Sequence, residues 1–206
     1  MKSLVFGLSS LALALILIGC SEPSKKAEEK KEPQKPPEPV TARTAFQNIF
    51  ASARMWALDA EILQMSNVHL DGVKDQPGKF GAWQVAFVSF SRNRVKLFTY
   101  AVVEGPGNLH KGVFGTPDEE YVPHGQIRPF LAAALRTDSD RALKIAMEKA
   151  GDYVKKNPGK PVNFLLELTP DTPAPAWRVI WGESVGTSNF SIYIDAATGQ
   201  YMRTMH

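Results

Sequence analysis

Ala82-Trp83-Gln84-Val85-Ala86-Phe87 returns 94 positions later as Ala176-Trp177-Arg178-Val179-Ile180-Trp181. The same offset carries Phe98 and Tyr100 onto Ile192 and Ile194, and Glu104-Gly105 onto Thr198-Gly199. A shared order of residues at one fixed spacing marks a repeated structural unit. Within the first copy, Trp83, Val85 and Phe87 alternate with Gln84, Ala86 and Val88, so residues 83–90 read as a strand with one face turned to a core.

An amphipathic helix pattern precedes each tryptophan. Thr41 is placed as an N-cap, and Phe46, Ile49, Phe50, Ala53, Trp56, Ala57 and Ala60 share one helical face, with Arg43, Gln47, Arg54 and Glu61 largely off it. A strand is expected near 67–73, broken by Gln76-Pro77-Gly78. After residues 83–90, Ser91-Arg92-Asn93-Arg94 turns the chain, a partner strand returns over 95–103, and Gly105-Pro106-Gly107 ends it. An irregular stretch, 115–128, and a short apolar piece, 130–135, lead to the second copy. There Thr137-Asp138-Ser139-Asp140 is dense in capping residues, Ala142, Ile145, Ala146, Ala150 and Tyr153 form the stripe of a helix, and Asn157-Pro158-Gly159 stops it. Segments 162–168, 177–181 and 189–194 read as strands, with a fourth over 200–204. Helix then antiparallel meander, twice, predicts an α+β fold in which each sheet packs one face on its helix. The repeats span 41–115 and 137–206, and 116–136 connects them.

Asp138-Ser139-Asp140-Arg141-Ala142-Leu143-Lys144-Ile145-Ala146, then Pro175-Ala176-Trp177-Arg178-Val179, then Ile192-Tyr193-Ile194-Asp195-Ala196-Ala197-Thr198-Gly199-Gln200, resemble the PepSY domain over about 137–203. The first half is similar only in outline, because Ala101-Val102-Val103-Glu104-Gly105 lacks the Asp and Thr of the closing motif. The resemblance implies a small, cystatin-like α+β unit of exported proteins that binds or restrains peptidases and other envelope proteins. It brings Trp83, Trp177, Asp195, Thr198 and Gly199 forward as motif residues and carries no catalytic residue. Asp195 and Gly199 also fit an Asx-type side chain and a φ > 0 position closing a tight turn.

The amino terminus supplies an address. Lys2, an apolar run over 8–18 and small Gly19 make the three parts of a secretory signal. The run is shorter than the ~20 residues a bilayer span needs. Leu17-Ile18-Gly19-Cys20 resembles the lipobox of bacterial lipoproteins, which implies cleavage between Gly19 and Cys20 and lipidation of Cys20; an uncleaved anchor and an ordinary signal peptide are the alternatives. Cys20 is the only cysteine, so a lipidated chain has no disulfide, thiolate nucleophile or cysteine ligand. Several acyl chains, at ~0.8 kcal/mol per buried CH₂, would fix it to a membrane. Ser21 rather than Asp after the cysteine implies, by the same resemblance, the outer membrane facing the periplasm.

Residues 21–40 hold five prolines, five lysines and five glutamates with no aromatic residue, a composition that cannot bury enough apolar surface to order itself. We read this segment as a disordered tether. The net charge of +3, lowered by one when Lys2 is removed, is too weak to point to nucleic acid or a polyanionic substrate.

Other chemistries find little support. Gly182-Glu183-Ser184-Val185-Gly186 matches G-x-S-x-G, and Asp195 and His206 follow in hydrolase order, yet a further strand is expected after Ser184 where a nucleophile elbow needs a helix. His69 and Asp71 would share a strand face, and His110 and His124 lie in Gly/Pro-rich segments, but no metal motif is present. Gly105-Pro106-Gly107 precedes no helix that could bind phosphate. Arg92, Arg94 and Lys96 cluster at a hairpin tip and read as a solvated turn. Trp56, Trp83, Trp177 and Trp181 fall on apolar faces and are expected in the core, the alternative being an open aromatic surface for a peptide or small ligand. The expectation is a non-enzymatic, cofactor-free lipoprotein bound to the membrane through Cys20 and to an envelope protein or peptidase, through its surface or an exposed edge strand. A small-ligand carrier with a pocket between helix and sheet is the alternative, and hydrolysis at Ser184 the third hypothesis.

Overall fold

The computed structural model describes residues 36–123 and 125–206, and residues 36–206 form one compact unit. The signal, Gly19, Cys20, most of the tether and His124 lie outside the described residues. In chain order the elements are β1 (Val40–Thr41), α1 (Ala42–Trp56), β2 (Glu61–Val68), β3 (Lys79–Phe80), β4 (Ala82–Ser89), β5 (Arg94–Ala101), β6 (Gly112–Gly115), β7 (Glu119–Glu120), a 3₁₀ turn (Ala132–Ala134), α2 (Ser139–Lys156), β8 (Val162–Glu167), β9 (Ala176–Trp181), β10 (Ser191–Asp195) and β11 (Tyr201–Met205).

The chain is α+β, with two helices and one large antiparallel sheet in the order β11-β10-β9-β8-β2-β4-β5-β6; β7 adds to β5, and β1 pairs separately with β3. The expectation of a sheet for each half is corrected here. The first strands of the two meanders, β2 and β8, pair through Gln64↔Glu167, Met65↔Leu166 and Ser66↔Leu165, which removes one exposed edge from each. α1 stops at Trp56 instead of running on to Ala60, because Ala57 turns extended while its N–H still reaches the Ala53 carbonyl. Residues 61–68 then form the central strand, and the strand expected over 67–73 reduces to its first two residues. The stretch expected to be irregular, 115–128, holds β7, and β6 ends at its start.

Both halves place their tryptophan in the same way. Trp83 lies opposite Tyr100 and Trp177 opposite Ile194, so the spacing of 94 holds across both strand pairs. Trp83 and Trp177 are fully buried with ring centroids 6.2 Å apart, and Phe164 sits 6.1 and 6.0 Å from them. Each indole N–H donates to the carbonyl just before a helix N-cap: Trp83 to Val40 at 2.9 Å, Trp177 to Thr137 at 2.8 Å. A buried indole donor finds its acceptor there.

The helix starts meet. Thr41 caps α1 through its side chain, and Asp138 caps α2. Asp138 Oδ1 also accepts the Arg43 N–H at 2.9 Å, while Ser139 Oγ accepts the Ala42 N–H at 2.9 Å and donates to the Gly78 carbonyl at 2.6 Å. Cap residues of α2 thus satisfy first-turn N–H groups of α1, which would otherwise lack a partner.

Replacing Trp177 by Phe keeps an aromatic ring but removes the indole N–H and leaves the Thr137 carbonyl without it; a loss of at least about 1–3 kcal/mol is expected in urea unfolding, and Trp83→Phe should behave alike. At the opposite end, N–H of Ser91 and the hydroxyl of Ser89 donate to Asp59 and hold its carboxyl down to about pKa 2. Its contribution is present above the unfolded carboxylate range and lost as pH falls through about 2. Asp59→Asn should therefore lower the melting temperature at neutral pH, with the gap to the parent closing on acidification.

Candidate functional site

The strongest candidate is a groove between α2 and the sheet, where the central ladder stops. β2 and β8 pair as far as Ser66. Beyond it the side chain of Asn67 takes over, accepting the Phe164 N–H at 2.7 Å and donating to Asn163 Oδ1 at 3.0 Å. The gap is closed by the loop before β3, by α2 and by the start of β8. A groove of about 700 Å³ remains, open to solvent along one side. Phe80, Phe164, Leu143, Met147, Pro161 and Val162 give it a mostly apolar wall. Phe80 and Phe164 stand 5.6 Å apart and belong to the ring cluster that includes Trp83. The groove wall is therefore the outer side of the core.

Polar groups gather at its rim. His69 Nε2 lies 2.9 Å from Asn163 Oδ1, and the Asn163 amide nitrogen donates to the Gly182 carbonyl at 2.8 Å. His69 Nδ1 contacts Asp75 Oδ2, while Asp75 Oδ1 is buried without a hydrogen-bond partner. Asp140 and Lys144 complete the rim from α2. The arrangement offers an apolar trough, and the orphan Oδ1 of Asp75 beside it is enclosed by protein atoms rather than open to solvent. It suits an apolar group with a polar neighbour at the rim.

Gly78 sets the width of the trough. Its φ is +70°, and a Cβ there would stand 2.4 Å from the Cα of Asp140. Only glycine allows the loop to lie so close to the start of α2.

The residues singled out in the sequence do not converge here. Trp83, Trp177 and Trp181 are core; Trp56 is half-buried, donates to Asp118 at 2.9 Å and lies beneath the Arg92 guanidinium. That bond, first, and the nearby Arg94, Arg92 and Lys96 charges hold the Asp118 carboxyl below its ordinary range. The basic hairpin tip thus packs partly on the helix end, where a purely solvated turn was expected. Asp195 Oδ1 accepts the N–H groups of Ala197 and Thr198 at 2.8 and 2.7 Å, and Gly199 follows with φ +75°. The carbonyl of Ala196 accepts the Thr137 N–H at 2.7 Å, so this turn buttresses the start of α2.

Ser184 is exposed between two strands and its hydroxyl lies 2.8 Å from that of Thr187; Asp195 is committed to its own turn, and His206 packs on Phe190. The strand-to-helix elbow is missing at Ser184. Among the described residues no group of three His, Cys, Asp or Glu is placed to hold a metal, His110 contacts Glu104 at 3.2 Å, and His69 turns to Asp75 rather than to Asp71. A pocket between helix and sheet is expected from the sequence only as the alternative, without its lining residues; Gln76-Pro77-Gly78 marks its rim.

No family model matches this chain, and no curated protein does. Among solved structures, a protein of Clostridium difficile 630 provisionally named a lipoprotein is similar at 13% identity and a TM-score of 0.43, over 83% of this chain and 94% of that one.

Gly78→Ala should force the loop off α2: we expect a stability loss of at least the ~1–2 kcal/mol of a left-handed non-glycine residue, seen as a lower melting temperature, and faster amide exchange in residues 75–80.

Proposed function

We propose that this chain is a membrane-tethered envelope lipoprotein that acts by binding, without catalysis. Its fold is read as two copies of one PepSY-like helix-and-meander unit fused through β2 and β8. The lipid on Cys20 and the tether would fix it at the outer membrane, facing the periplasm. The reading of the amino terminus rests on the run ending Leu17-Ile18-Gly19-Cys20. No described helix is long and apolar enough to cross a membrane.

The groove along α2 carries the functional reading. We take it as the dock for an apolar side chain of an envelope protein or peptidase, followed in that partner by a Lys, Arg or amide donor that answers Asp75. Its open side would leave room for a segment of a larger chain. Leu143 and Met147 would present one wall, Phe80 and Phe164 the other. Because Phe80 stands 5.4 Å from Trp83, occupancy should be visible in tryptophan emission.

The groove also keeps the carrier reading alive, since its volume suits a small amphipathic molecule. Native mass spectrometry of protein isolated from envelopes separates the two. A retained small mass in the groove favours the carrier, and its absence together with peptide binding favours the dock.

Two outcomes are expected. Cys20→Ala should move the protein from the membrane to the soluble fraction, read by fractionation; unchanged membrane retention would sink the anchor. Titration with a peptide array of Leu or Phe followed by Lys should quench or shift tryptophan emission, and Met147→Glu should weaken binding about tenfold or more without changing the fold by circular dichroism.

A further inference from the structure

We infer that β11 is a docking edge for an extended acidic segment of another protein, which joins the sheet as its next strand. This surface is distinct from the groove.

β11 is the terminal strand of the sheet: it pairs with β10, and among the described residues nothing pairs with its other side. Tyr201-Met202-Arg203-Thr204-Met205 contains no proline and a single charge, so its free backbone groups are guarded only by Arg203. That charge is not isolated. On the sheet face away from the helices, Arg178, Tyr193 and Arg203 lie in register across β9, β10 and β11. The guanidinium carbons of Arg178 and Arg203 stand 5.8 and 4.5 Å from the Tyr193 ring centre. Tyr193 is buried beneath them.

Neither guanidinium has a carboxylate partner among the described residues. Arg178 Nε donates to Ser191 Oγ at 3.1 Å, and Arg203 Nε is buried without an acceptor. Two acids of the same sheet are engaged elsewhere: Glu167 of β8 accepts from Gln64 at 3.3 Å, and Asp195 of β10 closes its own turn. On the helix face of the same edge, the Lys149 ammonium lies 5.3 Å from the Tyr201 ring centre, and Lys156 and Asp152 border the pocket under Thr204. Cations thus flank β11 on both faces, three basic groups and one acid beyond Arg178.

An added strand alternates its side chains between the two faces. Carboxylates on it would meet Arg203 on one face and Lys149 on the other, and an arginine fork donates two parallel bonds to a carboxylate. Backbone bonds would supply affinity and the charges would choose the partner. A second copy is a poor occupant. Its own β11 brings no carboxylate and would set Arg203 beside a like charge.

The test uses the mature lipidated chain in detergent and three capped peptides, Thr-Val-Glu-Val-Glu-Val-Thr and its Gln and Lys counterparts. We expect the Glu peptide to bind about tenfold or more tightly than the Gln peptide, to weaken with added salt, and to slow amide exchange in residues 201–205. Arg203→Glu should reverse the preference toward the Lys peptide, and Arg203→Gln should level the Glu and Gln peptides. Equal binding of the Glu and Gln peptides to the parent protein, or protection confined to other strands, overturns the proposal. So does protection, without peptide, of those amides in residues 201–205 that do not bond to β10, which would show the edge already taken by a second copy or by the tether. Met147→Glu leaves this readout unchanged, so failure here and failure of the groove are told apart.

Discussion

Two helices that start at the same point present the fold with an electrostatic problem and its solution. The first turns of α1 and α2 carry unsatisfied N–H groups and the positive ends of two helix dipoles. Asp138 answers both at once, accepting from Arg43 and from Ser139, and Ser139 takes the Ala42 N–H while giving its own proton to Gly78. Everything nearby is anchored to this junction. The carbonyls just before the two caps receive the indoles of Trp83 and Trp177, so helix starts fix the tryptophans and the tryptophans fix the sheet beneath.

The halves depend on each other for this reason. Three residue pairs join β2 to β8, a modest ladder for the middle of a nine-stranded sheet. The rest of the seam is made above it, by the shared caps and by Trp83, Trp177 and Phe164 meeting at about 6 Å. Aromatic pairs at such distances add roughly 0.5–1.5 kcal/mol each beyond the area they bury. A half cut free would expose its tryptophan and the β2 or β8 edge, and α1 would lose acceptors that only the other half supplies.

Much of this could be read from the chain before any coordinates. Thr41 and Asp138 act as caps, Asn157 ends α2, and the tryptophan strands and their partners fall where alternation places them. The central strand was hidden, because Glu61, Leu63, Gln64 and Met65 are helix formers and only pairing on both sides makes them extended. The lining of the groove, expected only as an unplaced pocket between helix and sheet, was hidden for another reason. His69, Phe80, Leu143 and Phe164 are distant in sequence and meet only after β2 and β8 have paired. The Arg178, Tyr193 and Arg203 row likewise needs the register of three strands, which a bulge between Tyr193 and Ile194 shifts.

The groove follows from how the seam ends. A ladder continued past Ser66 would bring Phe164 against the β2 backbone and leave no room for a trough. Asn67 prevents that by offering its side-chain amide where a backbone group would stand, which keeps the strands linked yet apart. The loop carrying Phe80 can then fold into the gap, drawn to α2 by the Gly78 carbonyl on Ser139. The residue that completes the helix junction is therefore the one that positions a groove wall. An occupant of the groove would press on the same loop, and its binding would then be linked to the union of the two halves.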